Sequence, residues 1–248
     1  MPIYKKTRLD QLLVDSGLAA TRSRAADLVR QGLVSVAGVT ALKPGAQVRA
    51  DARLAVSTHA SLHVSRGGQK LEAALDAFGF AAEGRVALDI GASTGGFTEV
   101  LLSRGAAKVY SVDVGRDQLH AKLRGDPRVV VLEATDARTL DAALVEEPIG
   151  AIVADVSFIS LTLALPAPLA LAAASAWLVV LVKPQFEAGR KAIGRGGIVR
   201  DAAECEKAVS KVRHFIAGAG WRIVGEIDSP ILGRGGNAEF LIGACHEA

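Results

Sequence analysis

The stretch "VALDIGASTGGFTEVLLSRGAAKVYSVDVG", Val86 to Gly115, decides the fold. An apolar strand run ends in the glycine-rich turn "GASTGG", a pattern of helical spacing follows, and a second strand run closes on Asp113. Wound α/β folds use that layout, and they bind ligands beyond the carboxyl ends of the strands.

The same alternation runs outward from this unit. Strand "RVALDI" precedes helix "GGFTEVLLSRG", and strand "KVYSVDV" precedes helix "RDQLHAKLRG". Strands "VVVLEA" and "GAIVADV", a long helical apolar segment and strand "AWLVVLV" come next. Helix "DAAECEKAVSKVRHFIAGAG" then leads to "RIVGEI" and "AEFLIG", which read as a closing antiparallel pair. Alternation of this length predicts a doubly wound Rossmann-like sheet. Ahead of it, "TRLDQLLVDSG" and "TRSRAADLVRQG" have helical spacing, while "LVSVAG" and "ARLAVS" alternate as short strands around "LKPGAQV". That unit reads ααββ, an α+β module too small to house a catalytic cleft. The expected division is residues 1–65 as a basic binding module, 66–84 as a join and helix, and 85–248 as the sheet domain.

At 248 residues, half of them apolar and 22% charged, the chain is an ordinary globular protein rather than a disordered one. Cys205 and Cys245 lie far apart without CxxC spacing, so neither a disulfide framework nor a metal site is expected. No apolar segment follows the charges of "MPIYKKTRLDQ", so the segment is not read as a secretory signal, and a reducing cytoplasm is expected. Residues 1–65 hold nine Lys/Arg against four Asp, +5, while the whole chain carries +3. A basic module on a near-neutral body points to a polyanion, against the alternative of a solvated basic face. Residues 156–182 carry no charge, long enough to span a bilayer, but Pro166 and Pro168 interrupt them. A helix followed by a central buried strand reads equally charge-free, and no stable membrane association is expected.

In "GASTGG", Ser93 stands where a dinucleotide fingerprint has the glycine that admits a pyrophosphate. A nucleoside cofactor without pyrophosphate, such as S-adenosylmethionine, fits better. Gly91, Gly95 and Gly96 let the turn press on it, Asp113 is placed to accept from ribose hydroxyls, and Asp136 to reach the adenine amine. Asp155 after "GAIVA" and Lys183 after "WLVVLV" are charges at the ends of apolar runs, either lining a cleft or simply pairing with each other. "DVSF" lacks the proline pair of amine methyltransferases, and neither cysteine suits attack on pyrimidine carbon. A hydroxyl acceptor remains; a lysine base for it needs a pKa well below about 10.

The chain resembles the TlyA family of ribosomal-RNA 2′-O-methyltransferases, also known under the name haemolysin, over essentially its full length. The motifs "VSRGGQKL", "LDIGASTGGFTEVLL", "VDVGRDQL", "ADVSFIS", "VKPQFEAGR", "GRGGIVRDA" and "SPILGRGGNAEFL" carry the resemblance. The N-terminal unit is similar to the RNA-binding domain of ribosomal small-subunit protein four. The resemblance implies an FtsJ-like Lys-Asp-Lys-Glu tetrad, Lys70, Asp155, Lys183 and Glu239, with Lys183 as the base for a ribose 2′-hydroxyl, cytidine being the expected nucleotide. It implies cofactor contacts from Gly91, Ala92, Ser93, Thr94, Gly95, Gly96 and Phe97, from Asp113, and from Phe158. Asp136 stands where the family pattern leads one to expect Asn. Arg8, Arg22, Arg24, Arg30 and Lys43 of the basic unit, Arg66 before the Lys70 helix, and Arg190 and Arg195 of a glycine-rich loop are the candidate contacts to ribosomal RNA or ribosomal subunits. That loop reads either as a phosphate holder or as a surface lid. A non-catalytic RNA-binding protein and a membrane-acting haemolysin are the competing readings. Nothing in the sequence demands a dimer.

Overall fold

The computed structural model describes residues 6–19, 21–30, 33–41, 43–56, 64–189, 192–233 and 236–246. The chain separates into two compact units, Met1–Leu62 and His63–Ala248.

In the first unit β1 (Lys6–Arg8) leads into α1 (Leu9–Asp15) and α2 (Arg22–Arg30), followed by β2 (Val34–Val36), β3 (Val39–Thr40), β4 (Gln47–Arg49) and β5 (Leu54–Val56). Leu9 and Leu13, four residues apart on α1, meet Ala25, Leu28 and Val29 of α2 and Val34 of β2 in one small core. β2 and β3 form a hairpin around Ala37 and Gly38, both at positive φ, which matches the twist of the flanking strands. The ααββ expectation misses three strands, β1, β3 and β4. β1 and β4 pair antiparallel, and their sequences, KTR and QVR, are too short and polar to show alternation.

The second unit begins with α3 (Gly67–Phe78) and continues β6 (Val86–Ile90), α4 (Gly96–Ser103), β7 (Lys108–Asp113), α5 (Ala121–Arg124) and β8 (Val129–Glu133). Then come β9 (Ile149–Ala154), α6 (Leu161–Ala164), α7 (Pro166–Ala170), β10 (Ala172–Val182), α8 (Pro184–Glu187), α9 (Ala202–Gly218), β11 (Trp221–Asp228) and β12 (Phe240–His246). The seven strands form one sheet in the order β11-β12-β10-β9-β6-β7-β8, with β12 antiparallel to both neighbours. This is a doubly wound α/β sheet, and its order reverses at β6, which pairs with β7 on one side and β9 on the other.

Strand β10 explains the charge-free stretch. Leu178, Val180 and Val182 join the core on one face of the sheet; Trp177, Val179 and Leu181 join the core on the other. A strand covered on both sides excludes charge throughout, and each such aliphatic side chain contributes roughly 1.5–3 kcal/mol on burial. The expected long helix before it is instead two short ones. Pro166 sits at the first position of α7, where its missing N–H costs nothing, and it ends α6. Among the described residues no helix is long and apolar enough to cross a membrane. The helix expected in "RDQLHAKLRG" shrinks to one turn, Ala121–Arg124, because Glu133 captures the preceding backbone. Its carboxylate accepts from the N–H groups of Asp117, Gln118 and Leu119.

Candidate active site

At the reversal point the turn after β6 comes against the end of β9. Gly91 has φ +81°, and a Cβ there would lie 2.5 Å from the Asp155 carbonyl oxygen, so only glycine fits. Its N–H donates to Val112 O at 2.8 Å, joining the turn to β7. A cleft of about 400 Å³ opens beside it, lined among others by Gly91, Ser93, Asp113, Gln118, Asp136, Asp155, Ser157 and Phe158. Of the candidate cofactor residues, Ala92, Thr94, Gly95, Gly96 and Phe97 do not line it. They build the turn instead: Phe97 is buried in the core beneath, and Gly95 and Gly96 leave room for Leu123 and the Ser65 hydroxyl.

Asp113 ends β7 and accepts from Ser93 N at 2.8 Å and Gly115 N at 2.7 Å. A carboxylate has about four acceptor sites, so two backbone bonds leave capacity for a diol. Asp136 faces the cleft but is tied to its own turn. It accepts from Arg138 N and pairs with the Arg138 guanidinium at 2.5 Å, which holds its carboxyl down at about 2. Phe158 is 91% exposed, at φ +67°, with its ring 5.1 Å from that of Phe186.

The four tetrad candidates form two ion pairs. Lys70 on α3 and Glu239, just before β12, lie 2.5 Å apart, and both are nearly buried. Gly233 makes room for that carboxylate, since a Cβ there would overlap Glu239 Oε1. Lys183, just after β10, lies 2.5 Å from Asp155 Oδ1 and donates to Ser157 Oγ at 3.0 Å. The Asp155 contact is electrostatic rather than an aligned hydrogen bond, because that oxygen lacks hydrogen-bond geometry to any partner. Val182 pairs with Phe240 across β10 and β12, so Lys183 and Glu239 leave neighbouring strands at the same end of the sheet. Neighbouring strands lie about 4.8 Å apart.

Several side chains at or beneath the cleft escape a reading by sequence. Asp89, inside β6, is wholly buried; Oδ2 accepts from the Thr98 hydroxyl at 2.6 Å, and Thr98 Oγ1 also meets Ser111 Oγ at 2.8 Å. Its Oδ1 has no partner. Burial first, then the charges of Asp155 and Asp113, push this carboxyl up to about 7 against the Thr98 hydrogen bond. Glu133 receives the Arg124 guanidinium besides three N–H groups, and its carboxyl falls to about 2. Its hold on residues 117–119 places Gln118 at the cleft wall, where Gln118 Oε1 accepts from the Ser93 hydroxyl. Glu187, one turn after Lys183, accepts from Ser160 Oγ at 2.5 Å, Leu161 N at 2.6 Å and Lys211 Nζ at 3.1 Å. It fixes the far end of the 155–160 loop that carries Ser157 and Phe158. The usable signal was the one applied to Asp155: Glu133 too is an acid closing an apolar run.

Backbone conformation marks the same place. Among the described residues, five non-glycine residues have positive φ: Ala37, Ser93, Asp117, Ala134 and Phe158. Ser93 and Phe158 line the cleft, while Asp117 and Ala134 adjoin its lining residues Gln118 and Thr135.

Among the candidate RNA contacts, Arg8, Arg22 and Lys43 are exposed on the first unit. Arg66 is half-buried at the start of α3. Arg190 and the side chains of Arg24, Arg30 and Arg195 lie outside the described part of the molecule. The glycine-rich loop is fastened by Asn237, whose Oδ1 accepts from Val199 N and whose Nδ2 donates to Gly197 O.

Comparison with known proteins follows the same division. A profile of the FtsJ-like methyltransferase family matches residues 63–245, and one of the S4 domain matches residues 7–54. The chain is 46% identical over 239 residues to the 16S/23S rRNA (cytidine-2′-O)-methyltransferase TlyA of Mycobacterium tuberculosis, covering 96% of this chain and 89% of the relative. It is 40% identical over 235 residues to Hemolysin A of Brachyspira hyodysenteriae, covering 94% and 98%. The solved structure of a hemolysin-named protein from Streptococcus thermophilus superimposes with a TM-score of 0.77 at 42% identity, over 99% of this chain and 90% of that one.

Proposed function

The chain belongs to the FtsJ-like methyltransferase family, and on that premise we propose that it methylates a ribose 2′-hydroxyl of ribosomal RNA, at cytidine, using S-adenosylmethionine. The carrying observation is the Lys183–Asp155–Ser157 cluster at the edge of the cleft, with Lys70–Glu239 on the neighbouring strand end.

The residues present suit the cofactor. Gly91 and Ser93 of the turn line the cleft, and Asp113 keeps acceptor capacity for a ribose diol. Gly91, Ser93, Asp113, Asp136 and Phe158 would hold it, with Ala92, Thr94, Gly95, Gly96 and Phe97 shaping the turn from beneath. When bound, the cofactor supplies an electrophilic methyl group on a sulfonium.

The chain's own residues do the rest. Lys183 Nζ, in its uncharged form, takes the proton of the attacking 2′-hydroxyl and becomes an ammonium paired with Asp155, while Asp155 and Ser157 fix the direction of the amine. Lys70 and Glu239 hold their strand end in place and keep a fixed charge pattern next to the acceptor. Alignment of this kind can be worth on the order of 7–11 kcal/mol of barrier, so no covalent intermediate with the protein is required.

The basic first unit, residues 1–65, captures RNA through Arg8, Arg22, Arg24, Arg30 and Lys43. Residues 66–84 bring in Lys70, with Arg66 ahead of it; residues 85–248 hold the cofactor, and Arg190 and Arg195 meet RNA phosphates.

The test is transfer of labelled methyl groups to ribosomal subunits or to free ribosomal RNA. Wild type should transfer label to ribose oxygens and Lys183→Ala should transfer at least about a hundredfold less. Equal transfer by the two proteins removes the base from the scheme. Absence of any cofactor binding by calorimetry would leave an RNA-binding protein without catalysis.

A further inference from the structure

The basic side chains of the first unit are not independent of one another. Asp10, in the first turn of α1, is only 4% exposed. Its carboxylate accepts from Arg8 twice, Nε to Oδ1 at 3.0 Å and Nη2 to Oδ2 at 2.6 Å, and from Arg22 Nη2 at 3.3 Å. The Arg8 contact is the two-bond fork that fixes a guanidinium in both plane and direction. The Arg8 and Arg22 side chains nonetheless stay 49% and 55% exposed.

Two further contacts tie this group to the fold. The Asp10 N–H donates to Pro44 O at 2.9 Å. At the next residue, Gly45, a Cβ would stand 3.0–3.3 Å from Nη1, Nη2 and Cζ of Arg8, so the absent side chain is the room the guanidinium uses. The Arg8 hydrogen bond, the largest influence, and Arg22 hold the Asp10 carboxyl down at about 2, so it stays charged under any condition in which RNA binds.

A permanent negative charge under a surface that meets a polyanion weakens long-range attraction. It also holds two like charges together that would otherwise swing apart. We propose that Asp10 is a positioning residue that turns Arg8 and Arg22 into one preorganised clamp for the phosphates of an RNA backbone. This rests on the RNA-binding reading above, and it adds Asp10 and Gly45 to the residues that decide affinity.

The two effects of Asp10 have opposite signs, which makes the test sharp. The full chain is titrated against a fluorescein-labelled RNA hairpin by anisotropy over a series of salt concentrations. If charge alone counted, Asp10→Asn would bind RNA more tightly, with a salt slope steeper by about 0.9. The clamp requires the reverse: binding about three- to tenfold weaker, with a slope no steeper. In an Arg8→Ala/Arg22→Ala background the same Asp10→Asn change should have no weakening effect. Unchanged or tighter binding by Asp10→Asn overturns the proposal, as does an equal loss in both backgrounds, which marks a role in folding alone.

Gly45→Ala crowds the Arg8 guanidinium without altering any charge and should weaken binding about twofold to threefold. It decides the matter if Asp10→Asn does not fold, since unchanged affinity would then refute the clamp. A wild-type chain that binds no hairpin at all would instead sink the RNA-binding reading.

Discussion

Asp89→Asn should change how the stability of the second unit depends on pH. The wild-type carboxyl is wholly buried in β6, held by Thr98, and burial raises it from 3.8 to about 7. Between those two values the unfolded chain has released this proton while the folded chain keeps it. The native state therefore binds more protons, and stability falls as pH rises through the window, by about 1.4 kcal/mol per pH unit at most. Integrated from pH 5 to pH 8, the loss is about 2–3 kcal/mol. Asparagine carries no charge at either pH, and its side-chain oxygen can still accept from Thr98. Urea unfolding at the two pH values, followed by tryptophan fluorescence, reads the effect, because both tryptophans, Trp177 and Trp221, are buried in the second unit. The variant should gain about 2–3 kcal/mol relative to wild type on going from pH 5 to pH 8. Stability curves that run parallel across this range would refute the assignment of the buried proton to Asp89.

Gly91→Ala places a Cβ 2.5 Å from the Asp155 carbonyl at φ +81°, and should destabilise the second unit by about 2–4 kcal/mol in urea titrations. Glu133→Gln weakens the hold on the three N–H groups of residues 117–119 that place Gln118, so cofactor affinity measured by calorimetry should fall about tenfold, together with a lower melting temperature at neutral pH. Glu187→Ala leaves Ser160, Leu161 N and Lys211 without their shared acceptor, and should cost about 1–3 kcal/mol of stability together with a lower kcat.

The sheet was legible because Val86–Gly115 combines three strong signals: apolar runs of strand length, a glycine turn and helical spacing between them. Asp155 and Lys183 were legible as charges ending such runs. Their arrangement was not, since Lys70 meets Glu239 from 169 positions away and no local pattern encodes that contact. Asp89 was hidden for a related reason: an acid within a buried strand makes sense only beside Thr98 and Ser111, which come from two other elements. The loss of the "RDQLHAKLRG" helix has the same origin. A tertiary acceptor, Glu133, took over N–H groups that helix periodicity assigned elsewhere. β1 and β4 fail on length, because three residues are too few for alternation to register.

Of the five non-glycine residues at positive φ among the described residues, four lie in or next to the cleft lining. Each such residue costs of order 1–3 kcal/mol relative to an unstrained backbone. The cleft is therefore the least relaxed part of the described backbone, held taut by its surroundings. Glycine at Ser93, Asp117, Ala134 or Phe158 would ease that tension, so a hunt for thermostable variants should recover glycines there, and ligand affinity should drop among the survivors.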